Sequence, residues 1–98
     1  MKSDKIIEIG IDNEERLYIK PSTSQFLYIY RSAVEVHWDN TKKILYSPKP
    51  RDWTYLKWYN HIIATALDYG YLLKLTEKTE WVNIPKDLKT EILSSNPF

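Results

Sequence analysis

His37 and His61 are the only histidines in the chain. Two imidazoles can act as base and acid on a phosphodiester, provided both rings come within about 3 Å of the protons they move. Nothing in the sequence forces that meeting, because His37 falls in an alternating, strand-like stretch and His61 in a helical one. Glu35 shares a strand face with His37, since side chains two residues apart point the same way. That pair supplies two ligands of a possible His–carboxylate metal site, but with no cysteine the usual zinc sets are closed. Glu35 and His37 read more simply as the solvent face of a hairpin. Gly10 and Gly70 are the only glycines, too far apart to build a phosphate-cradling loop. No serine sits in a glycine-flanked elbow that would make it a nucleophile. The expectation is a non-catalytic chain without cofactor or metal.

A second constellation lies in residues 42–58. Residues 41–60 hold Lys42, Lys43, Lys49, Arg51 and Lys57 against Asp52 alone, although the whole chain carries only +1. Trp53 and Trp58 stand among these cations, and aromatic faces interleaved with positive charge bind single-stranded nucleic acid. Tyr55 and Tyr59 recur at helical spacing, which is the pattern of a core stripe instead. Pro48 and Pro50 mark a rigid corner before the helix. Arg31, Asp39, Arg51 and Asp52 have the charges to pin a hairpin to that corner. Arginine and tryptophan are also the types that anchor protein interfaces. Arg31, His37, Trp38, Arg51 and Trp53 are therefore the candidate partner-binding residues.

The elements that must position these side chains follow from periodicity. Residues 5–11 put Ile7, Ile9 and Ile11 on one strand face, and residues 16–20 return with Leu17 and Ile19 inward, giving a hairpin. Residues 25–30 are apolar on both faces and suit a buried strand or a short helix. Residues 34–38 and 43–47 form a second hairpin around the turn at 39–42. A helix over about residues 53–69 carries Tyr55, Tyr59, Ile62, Ile63, Ala66 and Leu67, with Asp52 or Thr54 as cap and Gly70 just past its end. A strand at 71–75, a further strand at 80–84 and a short C-terminal helix behind Pro85 complete the chain. The order predicts an α+β fold, a mostly antiparallel sheet packed by one long helix.

At 98 residues the chain is one domain, 1–98. Eight Tyr, four Trp and two Phe exceed what so small a core can enclose, so several rings must lie at the surface. No run approaches the ~18 apolar residues of a membrane span. The first residues return to charge too soon for a signal peptide, so the expected location is the cytoplasm. An edge strand at 34–38 could pair with its twin, leaving monomer or homodimer open.

The segments Tyr30-Arg31 through Trp38-Asp39 and Pro50-Arg51-Asp52-Trp53 resemble small immunity proteins of bacterial polymorphic-toxin systems. The likeness covers under half of the chain and is one of length, composition and motif texture. It implies a cytoplasmic protein without catalytic residues that binds a cognate toxin domain and blocks it. The near-neutral charge departs from the strongly acidic inhibitors of basic nuclease toxins and directs the expectation to other toxin classes. Two other functions remain compatible with the residues: a nucleic-acid-binding module using 42–58, and a small hydrolase or ribonuclease using His37 and His61.

Overall fold

The computed structural model describes residues 2–27, 29, 35–48 and 51–95. They form β1 (Lys2–Ile11), β2 (Leu17–Pro21), β3 (His37–Asp39), β4 (Ile44–Tyr46), α1 (Tyr55–Asp68), β5 (Tyr71–Lys74), β6 (Glu80–Val82) and α2 (Lys86–Ser95). This is the expected α+β fold. The sheet is mixed: β3, β4, β2 and β1 run antiparallel in that order, and β5 and β6 both add to the far edge of β1 in parallel. Parallel addition requires a crossover, and the segment containing β2, β4 and α1 supplies it.

β1 is the axis of the molecule, and its first half is bent by a bulge. Ile6 faces Pro21 and Glu8 faces Lys20, so one extra residue lies between two successive partners. The bulge shifts the alternation. Ile6 and Ile9 are both fully buried while Ile7 stays 40% exposed, correcting the expected Ile7–Ile9–Ile11 face. The strand on the other side breaks at the same level. β5 pairs Lys5 through Lys74, and β6 resumes at Glu8 through Glu80. Thr79 bridges the gap: its hydroxyl donates to the Ile6 carbonyl at 2.6 Å and accepts from the Thr76 N–H.

The core lies between the sheet and α1. Ile9, Ile19 and Leu45 stand side by side across β1, β2 and β4 on the covered face. Trp58, Tyr59, Ile62, Ile63 and Ala66 of α1 close over them, and Ile92 of α2 joins the same cluster. Thr54 caps α1 by accepting from the Lys57 N–H, and Gly70 ends it with a φ of +90° that suits a residue lacking Cβ. Within 25–30, the described residues form no strand. Phe26 and Ile29 instead plug the core from a turn in which the Ile29 N–H donates to the Phe26 carbonyl. The second hairpin is shorter than its alternation suggested, because β3 starts only at His37, after Glu35 takes a φ of +60° that a strand does not allow. Its turn is closed by the N–H groups of Thr41, Lys42 and Lys43 on Asp39.

Candidate functional site

Two surfaces receive the side chains singled out in the sequence. The first is the corner where the chain enters α1. Trp53 precedes the Thr54 cap and lies on Trp58, ring centroids 4.7 Å apart, with His61 edge-on to both at 5.3 and 5.7 Å. Trp58 and His61 are three residues apart on the helix and so share a face. That spacing is the sequence signal for the contact between Trp58 and His61.

An open cavity of about 630 Å³ beside these rings is lined by Glu35, Pro48, Arg51, Asp52, Trp53 and Trp58. Trp53 is 41% exposed, a large apolar ring left in water. Trp58 is buried, and its indole N–H has no hydrogen-bond acceptor among the described residues. Such an orphaned donor is uncommon in a protein interior. Glu35, at the cavity's rim, holds a φ of +60°, unusual for a residue other than glycine, asparagine or aspartate. The corner thus combines an exposed tryptophan, charges of both signs and an unused donor.

The second surface is the sheet face turned away from α1. Register sets Gly10, Tyr18, Tyr46 and His37 in a row across β1, β2, β4 and β3. Tyr18 lies directly on Gly10: a Cβ there would sit 2.6 Å from the Tyr18 hydroxyl and 2.8 Å from the Val82 carbonyl. The Tyr18 O–H donates to Glu8 at 2.7 Å, and burial together with that carboxylate pushes the phenol far above its ordinary range. The exposed His37 ring rests on Tyr46 at 5.3 Å, and the Arg16 guanidinium lies over the Tyr46 ring at 4.5 Å.

Of the candidate residues, Arg51 and Trp53 therefore meet at one cavity. His37 and Trp38 lie on opposite faces of β3. Trp38 points inward, packs on Phe26 at 5.7 Å, and donates its indole N–H to Asn40. Arg31 lies outside the described residues. Asp39 binds the N–H groups of its own turn and does not pin the helix start, which lowers its pKa. The two histidines stand in separate clusters, His37 with Tyr46 and His61 with the tryptophans. The basic segment is likewise divided, with Lys42 and Lys43 beside Tyr18 and with Arg51, Trp53 and Trp58 at the corner. Among the described residues, no three histidine or carboxylate side chains gather as a metal ion would need, and no helix is long and apolar enough to cross a membrane.

The sequence profile of the integron cassette protein Hfx_Cass5 matches residues 4–79. A solved structure from the mobile metagenome of the North West Arm sewage outfall, integron cassette protein Hfx_Cass5, is 40% identical over all of this chain and 99% of its own, with a TM-score of 0.51. No curated protein matches the chain.

Proposed function

The chain belongs to the Hfx_Cass5 family of integron cassette proteins, and we propose that it is a non-catalytic protein-binding module of the immunity type, which binds a cognate toxin domain and blocks it. The observation that carries this reading is the α1 corner. Trp53, 41% exposed, projects beside Arg51 at a cavity that Trp58 also lines. Tryptophan and arginine dominate the few residues that supply most of an interface's energy, and they do so where a partner excludes water from them. A partner seated there would cover Trp53 and meet charges of either sign. An interface of ordinary size, about 800 Å² on each side, would extend from the corner.

The test is co-purification from the host's lysate and secreted fraction, followed by an activity assay on whatever is recovered in a one-to-one complex. The expected result is a toxic enzyme silenced by the chain, with Trp53→Ala weakening the complex by about 2 kcal/mol, roughly thirtyfold. Failure to recover any stoichiometric protein, or an interaction indifferent to both Trp53→Ala and Arg51→Ala, would sink the proposal.

A further inference from the structure

The sheet face turned away from α1 holds a second cavity, of about 510 Å³, that the binding corner does not share. Tyr18, Ile44 and Val82 are among its apolar walls, and Lys20, Lys42 and Lys43 surround it. Its two carboxylates are already engaged. Glu8 accepts the Tyr18 O–H, and Asp12 binds the Arg16 guanidinium at 2.8 Å together with the N–H groups of Glu14 and Arg16.

The register makes Lys20 informative. It stands directly across from Glu8 on the same face, the position where an opposite-charge pair normally forms. Glu8 accepts from the Tyr18 hydroxyl, and Lys20, although partly buried, makes no ion pair among the described residues. Lys42 makes none either, while Lys43 donates to Asn40 at 2.9 Å. The turn that carries Lys42 and Lys43 is fixed by Asp39, whose carboxylate accepts from Thr41 and Lys42. Three ammonium groups thus surround one hollow, facing the carboxylates of Glu8 and Asp12 and the nearby Glu80, with Asp12 already paired to Arg16.

We infer that this hollow binds a phosphorylated small molecule of about nucleotide size. Lysines serve phosphate as point charges that need no forked geometry. A bare phosphate would fill only part of the space, which lies within the ~300–1,000 Å³ typical of small-molecule sites. The apolar walls and the amides of Asn13 and Asn83 would face the organic portion.

The inference is tested by titrating the intact chain, at low ionic strength, with adenosine monophosphate, inorganic phosphate and a short single-stranded oligonucleotide, following amide chemical shifts. Adenosine monophosphate is expected to shift residues around Tyr18 and Lys20. Its affinity should fall roughly tenfold with Lys20→Gln, in keeping with a charge-assisted contact, and stay unchanged with Lys57→Gln on α1. Both variants change exposed or half-exposed side chains, and their melting curves verify folding. Absence of binding, or equal loss in the two lysine variants, overturns the inference. Equal affinity for inorganic phosphate overturns the size and ring requirement. Tighter binding of the oligonucleotide replaces the small-molecule reading with a nucleic-acid surface.

Discussion

Asp4 and the neighbouring pair Trp58 and Tyr59 all bury polar groups, yet the fold treats them in opposite ways. The Asp4 carboxylate receives the N–H groups of Lys5, Thr23 and Ser24 and the hydroxyls of Thr23 and Ser24, so both of its oxygens are used. It stitches the segment after β2 onto the start of β1. The indole N–H of Trp58 and the hydroxyl of Tyr59 are equally removed from water and have no hydrogen-bond partner among the described residues. A satisfied buried group holds a structure together, while an unsatisfied one costs stability unless a ligand or partner completes it. The comparison separates a polar group whose burial is compensated from two whose burial is not.

The largest expected effect lies on the satisfied side. Asp4→Ala strands buried donors on Ser24 and its neighbours and should cost about 3 kcal/mol, lowering Tm by roughly 15 °C for a domain of this size. The pH dependence follows from the same contacts. Burial alone would raise the Asp4 pKa, but the hydrogen bonds from Ser24, Thr23 and Lys5 outweigh it and hold the carboxyl below its ordinary 3.8. Because the folded-state value is depressed, the stabilisation is present above the ordinary value and is lost as pH falls through the folded one. The gap between wild type and Asp4→Ala should therefore narrow in thermal melts below about pH 4. A gap that persists undiminished into strong acid would mean the contacts do not depend on the charge.

A mid-sized effect is expected at Gly10, where the outer face is packed as tightly as Asp4 is bonded. Gly10→Ala would drive a methyl into the Tyr18 ring and the Val82 carbonyl. The phenol could shift only by giving up Glu8, and the carbonyl belongs to the β6 backbone. Overpacking of this kind costs about 2 kcal/mol, readable in urea titration as a lower midpoint with unchanged slope. The same change should weaken ligand binding in the sheet-face cavity, since Tyr18 forms part of its wall.

These regions differ in how far the sequence disclosed them. The α1 stripe, its Thr54 cap and Gly70 end were legible because local spacing and cap chemistry dictate them. Leu17 and Ile19 were legible as inward residues for the same reason. The bulge at Ile7 was not, because alternation carries no mark of where an extra residue enters, and the partner that sets it is Pro21 in another strand. Nor was the addition of β5 and β6 to a single edge of β1. That depends on Thr79 reaching the Ile6 carbonyl across most of the chain. Arg51 and Trp53 were named from residue type and do meet at the corner. Trp58, the other half of that surface, was named beside Trp53 only as a possible stacking face, because an aromatic at helical spacing satisfies the core pattern equally well.

The smallest effect has the most informative sign. Tyr59 is fully buried, and burial pushes its phenol up to about 12. Its hydroxyl makes no hydrogen bond among the described residues to offset the water it gave up. Tyr59→Phe removes that group and leaves the ring in place, so stability should stay level or rise by about 0.5–1 kcal/mol. Trp58 differs in one respect: it lines a cavity that a partner can enter. A melting temperature that holds or climbs in Tyr59→Phe confirms that these groups are uncompensated in the free protein. A clear drop would show that the hydroxyl has a partner after all, and the contrast with Asp4 would then collapse for Tyr59, leaving Trp58 alone as the unspent donor.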